Sequence, residues 1–190
     1  MFSRDNPPCS NGFTLVEIAI TLVIIGLLLS GTLKAQELIR SSQINQTVQD
    51  FQNFQAAYYS YQDRLGNIPG VSATPGRLYI AHTNHSAHNQ DGRFFFDLAD
   101  QGFISQSQPM PPEALADFYT AGFGSTQNIQ THETLTIEDA NQLCARGLKE
   151  PAFARALDTK LDDGNPDSGD VQANEAYDSQ ALSLVCMRLD

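Results

Sequence analysis

The stretch GFTLVE, residues 12–17, followed by IAITLVIIGLLL, residues 18–29, decides the fold of this chain. It is a long apolar run that carries one carboxylate, Glu17, near its start, and the next charged residue is Lys34. A helix rises about 1.5 Å per residue, so a helix over this run is long enough to cross the ~30 Å hydrocarbon core of a bilayer. The run therefore predicts a transmembrane helix.

Glu17 is the residue in this run that a simple membrane anchor does not explain. An unpaired carboxylate in lipid costs several kcal/mol, so an ionisable residue there indicates a function and a partner for its charge. The alternative is an ordinary anchor with an incidental glutamate.

The order of Gly12, Phe13, Thr14, Leu15 and Glu17 resembles the N-terminus of type IV prepilins and type II secretion pseudopilins. In that family a membrane peptidase cuts after the glycine and the new N-terminal amine is methylated. The resemblance therefore implies cleavage after Gly12 and methylation of Phe13. It also implies that Glu17 pairs with the N-terminal amine of a neighbouring subunit, which makes Glu17 a filament-assembly residue.

The resemblance implies four segments along the chain. Residues 1–12 are expected to form a cleaved leader, residues 13–33 the transmembrane half of a helix, and residues 34–65 the half of that helix that packs on a head. Residues 66–190 are expected to form a periplasmic α+β head domain. The fold class is thus α+β, a pilin-like lollipop in which a long N-terminal helix packs on a small antiparallel sheet with short helices.

The same resemblance implies a location. The chain is expected to pass once through the bacterial inner membrane with a periplasmic C-terminal head, and to enter an extracellular or periplasmic filament after assembly. The leader departs from the family pattern because Arg4 and Asp5 leave it neutral, whereas family leaders are usually basic. The positive-inside rule therefore supports this orientation only weakly.

Three cysteines are present, at Cys9, Cys144 and Cys186. Cleavage after residue 12 would remove Cys9, so Cys144–Cys186 is the intramolecular disulfide that an oxidising periplasm would allow. Closing a loop of about forty residues stabilises by ~3–4 kcal/mol in the chain-entropy model. The alternative is a pair of buried thiols.

The long helix is predicted from Phe13 to about Gln62, ended by Gly66 and Pro69. Its half outside lipid carries an apolar stripe that should face the head. The stripe consists of Ile44, Val48, Phe51, Phe54, Tyr58, Tyr61 and Leu65. Many major pilins have a helix-bending proline in this region, and its absence between residues 13 and 67 favours a minor pilin or pseudopilin.

Shorter elements are predicted in the head from capping, turn and alternation signals. The predicted helices are Arg93–Gln101, a helix opened by Thr136 that carries Cys144, and a helix from Pro151 through Leu161. The predicted strands are Arg77–Ala81, Phe118–Phe123, Asn128–Leu135 and a terminal strand over residues 181–189 that carries Cys186.

A histidine-rich segment contains His82, His85 and His88. Steps of three would place these imidazoles on one side of a helix, and histidine is a common zinc ligand. The neighbouring asparagines and serine favour turns, however, and no cysteine or carboxylate nearby completes a ligand set. A solvated loop is the favoured interpretation.

An acidic turn near the C-terminus follows the predicted helix that begins at Pro151. Its oxygen-bearing side chains come at short intervals, which is the chemistry that calcium prefers. The candidate ligands are Asp162, Asp163, Asn165, Asp167 and Asp170. The spacing lacks the EF-hand order, so an acidic turn without an ion is the alternative, and calcium is the one cofactor candidate.

The function expected from these observations is structural. No nucleophile elbow, phosphate loop or HExxH motif is present, so no enzyme is indicated. The net charge of −11 argues against a general nucleic-acid binder. The expected partners are other pilin or pseudopilin subunits, the prepilin peptidase, the inner-membrane assembly machinery and the membrane. The alternative function is a membrane-tethered periplasmic module that binds a ligand or metal.

Overall fold

A computed structural model describes residues 13–71, 76–78, 93–105, 109–124, 137 and 139–190 of the chain. The chain divides into two compact units, one that ends at Ser41 and one that comprises Ser42–Asp190. The helix α1, Leu15–Leu65, begins in the first unit and ends in the second. The second unit also contains helices α2, Arg93–Asp100, and α3, Pro151–Leu161.

Four strands form one antiparallel sheet in the second unit. They are β1, Phe118–Phe123, β2, Asn141–Arg146, β3, Val171–Ala173, and β4, Leu184–Arg188. Their order in the sheet is β1-β2-β4-β3, with every neighbouring pair antiparallel. The long helix, the short helices and this small sheet confirm the predicted α+β class.

The second half of α1 buries one face, largely the predicted stripe. Ile44, Phe51, Phe54 and Tyr58 are buried at helical spacing. Val48 and Tyr61 are only partly buried. Leu65, the last residue of α1, is 42% exposed, so its place in the buried stripe was wrong.

Thr47 is fully buried on this same face, which the apolar pattern did not include. Its hydroxyl donates to the Gln43 carbonyl at 3.2 Å, so the polar atom is satisfied inside the helix and the methyl can pack. The helix ends as predicted at Gly66, whose φ is 68° and whose N–H donates to the Gln62 carbonyl at 2.9 Å.

Aromatic side chains fill the space between α1, α2 and the sheet. Phe54 meets both Phe95 and Tyr119 edge to face, with ring centroids 5.3 Å and 5.5 Å away. Phe51 meets the other side of Tyr119 in the same way at 5.8 Å. Such pairs contribute about 0.5–1.5 kcal/mol beyond the area that they bury. These contacts attach the second half of α1 to the head.

The prediction of a helix that carries Cys144 was wrong, because Cys144 lies on strand β2. Asn-Gln-Leu-Cys-Ala-Arg contains good helix formers, but all six residues are buried between neighbouring strands. Burial on both faces decides the structure here over intrinsic propensity. Asp139, expected near the start of that helix, instead has a φ of 49°, which belongs to a turn.

Asn141, at the start of β2, joins four parts of the second unit. Its side-chain N–H groups donate to the Gly76 carbonyl at 2.9 Å, the Asp190 carboxylate at 2.9 Å and the Tyr58 hydroxyl at 3.4 Å. Its side-chain oxygen accepts from the Leu78 N–H at 2.8 Å. Burial raises the pKa of Tyr58 to about 12, and the charge of Asp190 adds to that rise.

One predicted strand is tested only in part, and another is not tested. Of Arg77–Ala81, the described residues include Leu78, which is buried and forms an isolated antiparallel bridge with Val71. Asn128–Leu135 lies outside the described residues. The helices predicted from Arg93 and Pro151 and the terminal strand are confirmed by α2, α3 and β4.

Candidate functional site

The first turn of α1 is capped by Thr14. The Glu17 N–H lies 3.3 Å from the Thr14 hydroxyl and 3.1 Å from the Thr14 carbonyl, which also accepts from the Ile18 N–H at 3.3 Å. These bonds satisfy backbone donors that a helix start leaves open. Thr14 and Glu17 have the Thr-x-x-Glu spacing of a capping box, so the start of α1 could also have been predicted from this spacing.

The hydroxyl groups in the apolar part of α1 are satisfied by the helix itself. Thr21 donates to the Ile18 carbonyl at 2.8 Å, and Ser30 and Thr32 each donate to the carbonyl three residues earlier at 2.9 Å. In a bilayer no water is present to satisfy such groups, so internal bonding is what makes them tolerable there.

Glu17 differs from those residues because its carboxylate has no partner among the described residues of this chain. The side chain is exposed, and so are its apolar neighbours. Phe13 is 79% exposed and Leu15 is 91% exposed. From Phe13 to Leu29 the helix thus presents an exposed apolar surface interrupted by one carboxylate. Such a surface requires lipid or another protein to cover it.

Among the described residues, one helix is long and apolar enough to cross a membrane, and it is α1. None of the side chains in its apolar window is buried in the structure. The apolar segment ends at an exposed ion pair, in which Lys34 donates to the Glu37 carboxylate at 2.8 Å. Charged residues at this position are expected where a helix leaves lipid.

Cys144 and Cys186 form a disulfide with an S–S distance of 2.11 Å. The two residues are directly opposite each other on the adjacent strands β2 and β4. Both are fully buried in a small cluster with Ile137, Ala140 and Leu184. The pairing expected from the sequence is therefore present, and it cross-links two neighbouring strands of the sheet.

The acidic turn after α3 is organised by hydrogen bonds from its own backbone. Asp162 Oδ2 accepts from the Val171 N–H at 3.0 Å and from the Asp170 N–H. Asp163 Oδ1 accepts from the Asn165 N–H at 2.8 Å. The turn therefore brings Asp162 and Asp163 to the start of β3.

Two of the other three predicted calcium ligands contact this pair through their backbone N–H groups, while their side chains have other contacts. Asn165 Oδ1 accepts from the Asp167 N–H at 3.3 Å, and Asp170 Oδ1 lies 3.7 Å from the Arg188 guanidinium. Among the acids of the described residues, no close group of three includes Asp167 or Asp170. Among the described residues, the cluster with suitably close oxygens instead contains Asp158, Asp162 and Asp163.

Asp158 was missed because it lies inside α3, where the sequence shows only a helical acid. It is fully buried, and its Oδ2 accepts from the Tyr177 hydroxyl at 2.5 Å. Burial raises the pKa of Asp158, while the Tyr177 bond opposes this rise. Burial and the nearby Asp158 raise the pKa of Tyr177 as well, so its hydroxyl remains a donor.

The raised pKa of Asp158 predicts a pH effect on stability. A group with a raised folded pKa stabilises the fold below its unfolded pKa, and this contribution is lost as pH rises through the folded value. Asp158→Asn should therefore raise the urea midpoint over the native chain more at pH 7 than at pH 4, in buffer with a calcium chelator. Asp167→Asn is the matched control, and an equal pH dependence in both variants would contradict the prediction.

Two groups of predicted residues lie outside the described residues. They are Gly12, the expected cleavage position, and the three histidines His82, His85 and His88. The roles of these residues stay predictions.

Comparison with known proteins gives one result. Residues 8–33 match the family model of the prokaryotic N-terminal methylation motif. No curated protein and no solved structure matches the chain. The matched residues include the capped start of α1 and most of its exposed apolar surface.

The chain thus carries the prepilin-type cleavage and methylation segment, which supports a type IV pilin-like or pseudopilin-like protein. The motif and the exposed apolar helix together indicate a membrane-anchored protein with a structural role. The motif also implies pilin-family partners and processing by a peptidase.

Proposed function

We propose that the chain is a minor pilin or pseudopilin, a structural subunit of a type IV pilus or a type II secretion pseudopilus. Prepilin peptidase cuts it after Gly12, Phe13 is methylated, and the subunit assembles through α1. The observation that carries this proposal is Glu17, an exposed carboxylate without a partner among the described residues of its own chain, within the matched methylation segment.

Assembly follows from the electrostatics of that segment. Cleavage creates a positive amine on Phe13, and Glu17 supplies a negative carboxylate four residues later. Each charge is costly in lipid when alone, and attraction between opposite charges is strong at low dielectric. Contact between two subunits pairs the two charges when the axial stagger is correct. When the stagger is wrong, both charges remain unpaired. The pair therefore sets the register of the filament.

The remainder of the proposal concerns location. Residues 13–33 span the inner membrane, and residues 66–190 form a periplasmic head to which residues 34–65 connect. The disulfide supports this orientation, because stable disulfides form in oxidising compartments such as the bacterial periplasm. After extraction from the membrane, the exposed apolar surface of α1 is covered by neighbouring copies of α1 or by the helices of related subunits.

Fractionation of cells tests the proposed assembly. Filaments are sheared from cells that express an epitope-tagged chain, and the sheared and membrane fractions are compared by immunoblot. We expect the processed chain in the sheared fraction of cells with intact assembly machinery and only in the membrane fraction of cells without it. For a pseudopilin, the same comparison uses cells that overproduce the secretion system. Processed protein that stays in the membrane in both strains would contradict the proposal.

A second candidate is a membrane-tethered periplasmic module that binds a ligand or metal. The acidic cluster at the end of α3 favours it, because a filament subunit does not require such a cluster. The two candidates differ in what they need from Glu17. A tethered module needs only a membrane anchor, whereas a filament subunit needs the carboxylate.

A further inference from the structure

A groove runs along the half of α1 that lies in the second unit. One wall is a line of α1 side chains at steps of four and three residues, which a helix places on one face, and the other wall is the segment that follows α2. The α1 wall consists of Gln46, Asp50, Asn53, Ala57 and Ser60, and the opposite wall includes Phe103, Ile104 and Met110. The groove has a volume of about 580 Å³, which lies within the range of ligand-binding clefts.

The walls of the groove are held in place by packing within the chain. Phe103 lies against Tyr61 of α1, with the ring centroids 5.7 Å apart. The N–H groups of Phe103 and Ile104 both donate to the Leu98 carbonyl near the end of α2, at 2.8 Å and 3.4 Å. Phe54, which also lines the groove, belongs to the aromatic packing between α1 and the head. The groove is therefore formed before any ligand binds, which lowers the entropy cost of binding.

The dimensions of the groove suit an extended chain. From Gln46 to Ser60 the helix rises about 21 Å, at about 1.5 Å per residue. An extended chain advances about 3.3 Å per residue, so about six residues would span this length. A volume of about 580 Å³ over about 21 Å leaves a mean cross-section of about 28 Å², whereas a helix about 10 Å wide occupies about 80 Å². The groove therefore fits one extended segment better than it fits a helix.

The chemistry of the two walls also matches an extended segment. Gln46 and Asn53 are exposed, so their side-chain amides are accessible to a ligand, and each amide can both donate and accept. An extended peptide leaves its backbone N–H and C=O groups free to form such bonds, whereas a helix uses them internally. The opposite wall supplies apolar surface, where Met110 is 60% exposed. The α1 wall can therefore bond the backbone of the segment while the opposite wall contacts its side chains.

Asp50 is the charged residue of this groove. Its Oδ2 accepts from the Tyr119 hydroxyl at 2.9 Å, which holds the side chain in place. The carboxylate is half-buried, and burial raises its pKa, although the Tyr119 bond opposes this rise. None of the described residues that line the groove is a lysine or an arginine. A cation brought by a ligand would therefore offset the cost of burying this carboxylate.

We propose that the groove binds an extended segment of about six residues from a partner protein, and that a lysine or arginine of this segment pairs with Asp50. The groove supplies the negative charge and the partner supplies the positive one, so charge complementarity defines the occupant. The groove lies in the second unit alone, so the proposal does not rest on filament assembly.

A display selection tests the groove with the full-length protein purified in detergent. A library of random peptides of about eight residues, slightly longer than the groove, is first depleted on empty micelles and then selected on the immobilised native chain. We expect the recovered peptides to share a lysine or arginine with apolar neighbours. Fluorescence anisotropy of a labelled recovered peptide then measures its affinity. Recovery of no peptide, or of peptides that share no basic residue, would overturn the proposal.

Variants separate the groove from the general acidity of the chain, whose net charge of −11 attracts basic peptides to any surface. Asp50→Asn should weaken binding of the recovered peptide roughly tenfold, because asparagine still accepts from Tyr119 but does not pair with a cation. Asp63→Asn is the matched control, since Asp63 is an exposed acid on the same helix that does not line the groove. It should bind the peptide as the native chain does.

A blocking variant tests the location. Ala56 lines the groove and is exposed, so Ala56→Trp adds bulk there and should abolish binding. Circular dichroism of each variant establishes that it is folded. An equal loss of affinity in Asp50→Asn and Asp63→Asn, or unchanged binding to Ala56→Trp, would overturn the proposal.

Discussion

Replacing Glu17 by leucine is expected to leave membrane insertion and peptidase cleavage intact and to remove the chain from filaments. The carboxylate opposes insertion by up to about 3 kcal/mol if it lies deep in the bilayer, so leucine should insert at least as well. The loss falls on assembly, because the methylated amine of Phe13 in the neighbouring subunit would have no opposite charge. An unpaired charge in an apolar contact is strongly destabilising, by about 3–5 kcal/mol, which corresponds to a loss of over a hundredfold in incorporation.

The measurement compares the amount of chain in sheared filaments relative to the membrane fraction. Glu37→Leu is the matched control, since it makes the same substitution on the same helix at an exposed surface pair with Lys34. It should leave incorporation nearly unchanged, because exposed ion pairs contribute little. Equal incorporation of Glu17→Leu and Glu37→Leu would favour the tethered module over the filament subunit.

Removing the disulfide is expected to have the largest effect on the stability of the head. The bond closes a loop with a sequence separation of 42, for which the chain-entropy model gives about 4 kcal/mol. The Cys144→Ala/Cys186→Ala chain should lose roughly this amount in the free energy of unfolding. Urea unfolding of the full-length protein in detergent, followed by circular dichroism of the head, measures the change.

Cys9→Ala provides the control for this experiment. Cys9 lies in the proposed leader and outside the disulfide, so its replacement should leave the urea midpoint of the precursor unchanged. Reduction of the native chain should reproduce the loss seen in the double variant. A double variant as stable as the native chain, or a native chain insensitive to reductant, would contradict a structural disulfide.

The N-terminal features could be predicted from the sequence because they depend on local patterns. Hydropathy and length determine the apolar helix, and Gly66 supplies the positive φ that ends it. The face that α1 buries was also predictable from the 3.6-residue period, from Ile44 to Tyr58. The burial of Thr47 was not predicted, because a purely apolar pattern leaves out polar residues. Its hydroxyl is hydrogen-bonded inside the helix, which allows the side chain to be buried.

The features that could not be predicted depend on contacts between distant parts of the chain. β2 contains helix-forming residues, and only its position between β1 and β4 makes it a strand. Asp158 is an ordinary helical acid in the sequence, and it becomes a cluster member only when the turn folds back beside α3. Asp170 has suitable chemistry, but its carboxylate lies 3.7 Å from the Arg188 guanidinium. Composition identified the acidic turn, whereas the grouping of Asp158 with Asp162 and Asp163 depends on the fold.

The most direct test is the intact mass and N-terminal sequence of the chain from cells with and without their prepilin peptidase. With the peptidase, we expect a chain that begins at Phe13, has lost residues 1–12 and carries one additional methyl group on its amine. Without the peptidase, the chain should keep the leader and lack the methyl group. A chain that remains uncut and unmethylated in peptidase-positive cells would contradict its assignment as a filament subunit.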